Sequence, residues 1–554
     1  MKRQKCPLFL PILLLLALLL APGIAVLSLP AFAEGGGQLR MCLHSEPKTF
    51  NPLLVADDAS ETVRYLTGGF LLRVNRRTQS LEPQLATGWK VSPDGRRITF
   101  LLRRGILFSD GTPFSAADVA ATVQQMMDPA LHTPTGDSFR SGEGKVITRV
   151  LSPAEVAIEF PYPVAGLDRL FDQVAILPAN SLKKEMAVLG PFFVSEHKPG
   201  SHLVLTRNPN YWKKDAHGRA LPYLDSIRLE IQPNRDLEFL QFQRGEIDLI
   251  NAIDAEHFDR LAKSAPGAAH DMGPSLDTEQ LWFNQRPSAP IAPYKRAWFR
   301  SQAFRVAISE AINRADLARV VYSSHAQPAH GPVSPANQLW FNSTLPALAY
   351  SPASALRRLQ QDGFRLQNGA LHDRNGNSVE FSIVTNSGNQ SRERMAAMIQ
   401  QDLSAIGVKV NIATLDFPSL IERFAQTFDY EACLLGMVNV DLDPNAQMSV
   451  WLSSGDNHQW NPAQSKPETE WEAEIDRLMR AQSSALDNKV RKTYFDRVQR
   501  IAAEQAPFLY LINKNALAAI SPRISGGQPA ALRPETYWNI EQLSLQSNGA
   551  ERKR

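Results

Sequence analysis

Three groups of side chains in this sequence have the composition of a binding surface, and none has the spacing of a catalytic centre. Ser453-Ser454-Gly455-Asp456-Asn457-His458-Gln459-Trp460-Asn461-Pro462 is dense in hydrogen-bonding groups around one tryptophan. Such a loop can wall a polar ligand, with Trp460 covering its apolar atoms and His458 and Asn461 bonding its polar ones. The competing reading is a plain surface loop. Leu281-Trp282-Phe283-Asn284 supplies a second pair, Trp282 and Asn284, facing a cleft, with core packing the alternative for Trp282. Asn439, Asp441 and Asp443 stand just before Pro444, where turn chemistry competes with ligand contact.

Reactive signatures are missing. The chain contains neither G-x-S-x-G nor H-E-x-x-H, and its 11 histidines have no metal-ligand spacing. Gly142-Glu143-Gly144-Lys145 fails as a phosphate loop, because Phe139 replaces the first glycine and Val146 the magnesium-binding hydroxyl. Acidic neighbours such as Asp57 and Asp58 say nothing by adjacency about acid/base geometry. No cofactor and no metal are expected. A secreted hydrolase without a local signature is the enzyme reading that remains.

The elements that would position these residues alternate between strand and helix. Ile98 to Leu102 reads as a strand, followed by a turn at Asp110-Gly111-Thr112-Pro113. Ser115 then caps a helix, with Asp118 in the capping-box position and Val119, Val123, Met126 and Met127 forming one buried face. Val379, Phe381 and Ile383 alternate as a strand; Met395, Met398, Ile399, Leu403 and Ile406 repeat at helical spacing; Val408, Val410 and Ile412 alternate again. With Gly407 at the helix end, this is a βαβ unit with a parallel sheet behind it. Ile227, Leu229 and Ile231 make another strand. The fold class is α/β, or mixed α+β, in more than one lobe.

The N-terminus indicates the compartment. Lys2, Arg3 and Lys5 precede an apolar run from Leu8 to Leu20, and Ala31-Phe32-Ala33 follows. This is the pattern of a secretory signal peptide cut after Ala33, and the run is shorter than the roughly 20 residues of a spanning helix. No lipobox cysteine follows. Cleavage removes three of 59 basic residues and leaves 56 against 56 acidic ones, so no charge footprint for nucleic acid or anionic lipid exists. Cys42 and Cys433 both sit in apolar strand-like runs, and two buried thiols are expected in preference to a disulfide.

Several segments in order resemble the extracellular solute-binding proteins of the dipeptide and oligopeptide family. Leu81-Glu82-Pro83-Gln84-Leu85-Ala86-Thr87-Gly88-Trp89 leads to Ser92-Pro93-Asp94-Gly95 and to Gly105 through Val119. Gly190-Pro191-Phe192, Arg207-Asn208-Pro209-Asn210-Tyr211-Trp212, Gly245-Glu246-Ile247-Asp248-Leu249 and Ala311-Ile312-Asn313-Arg314 continue the likeness. The βαβ unit and Gln505-Ala506-Pro507-Phe508 complete it. It covers roughly residues 39 to 515.

The resemblance implies a periplasmic-binding-protein-like architecture of two lobes with a hinge and three domains. Expected are domain I at 34–72, 183–277 and 508–545, domain II at 73–182, domain III at 278–507 and a tail at 546–554. It implies a monomeric periplasmic component of an ABC importer that closes on a peptide or similar polar solute and presents it to the permease. A peptide-binding sensor or chaperone would share the whole pattern, and sugars, nickel chelates or opines replace peptides in some relatives. In peptide-binding relatives an aspartate a few residues before an acidic-Pro element pairs with the ligand ammonium. Here Val440 falls at that position and Asp441 one residue later. Glu46 lies in an entry strand near the cleft of relatives and is either paired internally or available to a cationic ligand.

Overall fold

A single sheet of 11 strands runs through the molecule. The computed structural model describes residues 36–131, 133–139, 144–179, 187–347, 349–437 and 442–546. The expected signal peptide and all but the first residue of the tail lie outside them. From one edge the sheet runs Lys409–Leu415, Glu380–Asn386, Ala432–Met437, Ala269–Phe283, Phe508–Ile520, Leu249–Ile250, Gln38–Leu43, Ser226–Ile231, His202–Arg207 and Phe192–Lys198. Ala326–Pro328 pairs with Phe508–Ile520 off this path.

The two longest strands, Ala269–Phe283 and Phe508–Ile520, carry the sheet from one lobe to the other. Ala519 and Ile520 pair with Leu249 and Ile250 in the first lobe. At the other end, Phe283 through Thr278 pair with Ala432 through Met437 in the second. Between these ends the pairing slips at Asp271/Pro274, Pro274/Thr278 and Glu279/Gln280. Register breaks loosen a ladder and re-aim its side chains, so the hinge lies where the two lobes meet.

The expected βαβ unit is present: Glu380–Asn386 and Lys409–Leu415 pair in parallel around the helix Gln390–Ser404. Gly407 ends it at φ +78°, where a Cβ would meet the Leu371 amide nitrogen at 2.9 Å. That left-handed turn is open to glycine at little steric cost. Ser115 and Asp118 form the expected capping box. A separate four-stranded sheet is built from Ala86–Val91, Arg97–Leu102, Glu155–Glu159 and Ile147–Ser152. Helix Ala116–Met126 packs Val119, Val123 and Met126 into its core.

Pleating sorts the second lobe into two cores. Leu281, Phe283, Leu434, Leu509 and Leu511 face the helix bearing Met395, Ile399 and Leu403. Trp282, Cys433, Phe508 and Tyr510 face the opposite side with Trp340, Trp451 and Trp460. Both faces are covered, which accounts for the nearly continuous apolar runs of these strands. Cys42 and Cys433 are buried free thiols, and burial raises the pKa of each.

Candidate functional site

On the first crossing strand polar residues alternate in kind. Asp277 and Glu279 point to one face; Thr278 and Gln280 point to the other, four and two residues before Trp282. The carboxylates are neutralised within the protein. Arg533 donates to Asp277 at 2.9 Å, with Lys514 at 3.4 Å, and Arg392 donates to Glu279 at 2.8 Å. Burial alone would raise both carboxyls, but these cations hold them below the ordinary range.

The opposite face lines a small cavity of about 10 Å³, room for about one water, beside the hinge. Thr278 and Gln280 line it from one crossing strand and Phe508 and Tyr510 from the other, with Met437, Pro332, Gln447, Val450 and Trp451 around them. Gln280 and Tyr510 are register partners. The Tyr510 hydroxyl is buried with no hydrogen-bond partner among the described residues. Burial pushes its pKa well above the usual phenol range, so the proton stays on and the group both donates and accepts. An unsatisfied buried hydroxyl costs about 1–3 kcal/mol, a cost removed by any ligand able to bond it. Apolar walls with a few converging polar groups are what a small-molecule site requires. A larger cavity of about 40 Å³ lies in the first lobe around Arg73 and Trp538. There Arg73 is already bound to Glu541 and Glu82.

The residues singled out in the sequence distribute differently. Trp282 is fully buried and donates to the Tyr430 hydroxyl at 3.3 Å; Asn284 donates to the Phe428 and Tyr430 carbonyls at 2.9 and 3.0 Å. His458 is also fully buried, with Nδ1 2.9 Å from the Val450 carbonyl and Nε2 3.2 Å from Glu472. Trp460 donates to the same carboxylate at 3.0 Å, as does Gln464 at 2.9 Å, while the Thr469 hydroxyl donates to its second oxygen at 2.7 Å. Asn461 is buried beside them. The loop's density of hydrogen-bonding groups therefore serves Glu472 and not the cavity. Asp443 is clamped by Arg491 through two bonds of 2.9 and 2.6 Å.

Glu46 accepts from the Gly200 amide at 2.9 Å and contacts His197; both partners hold its carboxyl below the ordinary range. It is internally paired, the first of its two sequence readings. Asn439 and Asp441 lie outside the described residues. Thr278, Gln280 and Tyr510 were missed by sequence reasoning. The available signal was two uncharged polar residues at same-face spacing from Trp282, alternating with the carboxylates Asp277 and Glu279.

Among the described residues no group of three or more His, Cys, Asp or Glu could hold a metal ion. No helix there is long and apolar enough to cross a membrane. Residues 80–459 match the model of the family described as bacterial extracellular solute-binding proteins, family 5 Middle. A probable ABC transporter-binding protein of Deinococcus radiodurans is 26% identical over 547 residues, with 90% of each chain covered. The oligopeptide-binding protein AppA of Bacillus subtilis is 25% identical, with 89% of each covered. The solved structure of AppA with a nonapeptide superposes with a TM-score of 0.77 over 93% of this chain and 100% of that one, at 24% identity. NikA from Brucella suis, in complex with Fe(III)-EDTA, gives 0.78 over 92% and 100%, at 22% identity. The ordered motifs, the continuous sheet shared by two lobes and a family match spanning most of the sequence agree: this chain belongs to the family 5 bacterial extracellular solute-binding proteins.

Proposed function

We propose that the protein is exported, cut after Ala33, and acts as a monomeric periplasmic receptor that binds a peptide between its lobes and delivers it to an ABC importer. It does so by binding and release, with no bond made or broken in the ligand. The observation that carries this is the cavity at the hinge, where Tyr510 and Gln280 present hydrogen-bonding groups inside apolar walls. A peptide backbone offers the matching amides and carbonyls, and its side chains suit walls of Met437, Val450 and Trp451. The names of AppA and of a di/tripeptide-binding relative in Pseudomonas aeruginosa support peptide as the solute.

Domain I is assigned to 34–72, 183–277 and 508–545, domain II to 73–182 and domain III to 278–507. Asn439 and Asp441 are assigned to the ligand together with Thr278, Gln280 and Tyr510. Trp282, Asn284, His458, Trp460, Asn461 and Asp443 are assigned to the scaffold that holds the cavity walls.

Native mass spectrometry of protein taken gently from a periplasmic extract tests the reading. Release of peptides of mixed sequence and narrow length supports it. A sugar, chelate or opine as the sole bound species overturns the peptide assignment.

A further inference from the structure

The two lobes touch at a second place that uses no residue of the crossing strands. Val164 and Leu167 are buried in the core of the four-stranded sheet's body, and Ala165 and Gly166 between them reach the second lobe. The Ala165 amide donates to the Ser483 carbonyl at 2.9 Å, and the Asn445 side chain donates to the Ala165 carbonyl at 3.1 Å. Both backbone groups of one residue are thus satisfied by the opposite lobe. Gln79 adds a bond to the Ala336 carbonyl at 3.0 Å.

The receiving surface is preorganised. Arg491 holds Asp443 through two bonds, reaches Gln482 Oε1 at 3.0 Å and lies over the Trp340 ring at 4.8 Å. Gln482 in turn donates to Asn445 Oδ1 at 2.7 Å, fixing the amide that bonds Ala165. Asp443, Asn445 and Arg491 are each at most 3% exposed. Gly166 lies on this network at φ +62°, and a Cβ there would stand 2.6 Å from Asp443 Oδ2 and 3.2 Å from an Arg491 nitrogen. The carboxylate is clamped and cannot retreat.

We infer that Ala165–Gly166 and the Asp443–Asn445–Arg491 network form a latch that holds the lobes closed without contacting the ligand, with Gly166 the positioning residue that lets them meet. The inference rests on the reading that the lobes close on a solute. Its consequence is that part of the closing free energy is built into the protein, so that ligand contacts need supply less of it.

The test uses mature protein stripped of ligand by unfolding in guanidinium and refolding, checked as empty by native mass spectrometry. Small-angle X-ray scattering then reports the open and closed populations. Stripped wild type is expected to contain a substantial closed fraction. Losing the two Ala165 bonds in Gly166→Ala lowers the closed-to-open ratio by about tenfold or more. Asn445→Ala, which removes one bond between the lobes, lowers it by about fivefold. Gly267→Ala, where an added Cβ meets nothing within 4 Å, is the control and leaves scattering unchanged. Circular dichroism confirms folding, and if Gly166→Ala fails to fold, Asn445→Ala and Gln79→Ala decide the matter. Stripped wild type that scatters as fully open, or folded variants indistinguishable from wild type, overturns the latch. Neither result bears on which solute is bound, which the extract experiment reads separately.

Discussion

His325 meets Asp271 at 2.9 Å, and Asp271 is the last residue in register before the crossing strands slip. Its other ring nitrogen is 3.0 Å from Asp259, Phe258 packs against the ring edge-on, and the His325 carbonyl accepts from the Asn515 amide. His325 thus ties a helix and both crossing strands together at the hinge, the first two through its ring and the third through its carbonyl.

This tie depends on pH with a definite sign. Burial alone would lower the His325 pKa, but its bonds to Asp259 and Asp271 raise it above the ordinary value. A raised folded value means that the stabilisation is fully present below about pH 6.5 and is lost as pH rises through the folded value. His325→Gln is expected to cost about 1 kcal/mol at pH 6 and to remove this part of the decline above pH 6.5. Urea denaturation of the two proteins at pH 6 and pH 8.5 checks it; parallel pH profiles would refute the role.

Glu472 works in the opposite direction. Burial would raise its carboxyl, but bonds from His458, Gln464 and Thr469 hold it down at about 2. Its contribution of about 3 kcal/mol is present above roughly pH 4.5 and is lost as pH falls towards 2. Glu472→Gln should flatten that acid limb, measured by guanidinium midpoints from pH 5 to 2.5. An unchanged limb would show that other carboxylates govern acid unfolding.

Tyr510→Phe separates ligand contact from scaffold. Removing a hydroxyl with no protein partner should leave the melting temperature of the ligand-free protein unchanged or slightly raised. Affinity for the solute recovered from the extract should fall about tenfold by calorimetry. Gln280→Ala should weaken binding by a similar factor. Full affinity in both variants would move the site elsewhere.

Cys42 and Cys433 are 7% and 0% exposed, and burial raises both thiol pKa values. Thiolate is the reacting species, so an aromatic disulfide reagent should titrate no thiol in native mature protein and two after unfolding. A native protein that stays silent in denaturant without reductant would instead contain a disulfide.

The fold was legible because its signals are local. The capping box at Ser115, the Met395–Ile406 helical face and the alternation at Val379–Ile383 each occupy a few consecutive residues, and each formed as read. The site was less legible because its determinants are distant. Asp443 finds Arg491 48 positions later and Gln280 faces Tyr510 across 230 positions, separations that no sequence window spans. Trp282 lies in a strand covered on both faces, so period-two alternation could not distinguish cleft from core. His458 and Trp460 have the composition of a ligand wall, yet that composition equally serves a buried carboxylate, and Glu472 lies just beyond the loop.

Trp282 and Phe508 are register partners, so the chain enters and leaves the second lobe side by side. Everything between them is mechanically in parallel with that short junction. A pull applied at the two ends of the described chain loads the pairing of Gln38–Leu43 with Ser226–Ile231 and that of Ser544–Leu545 with Ile524–Ser525 first. The second lobe bears tension only after that junction has parted.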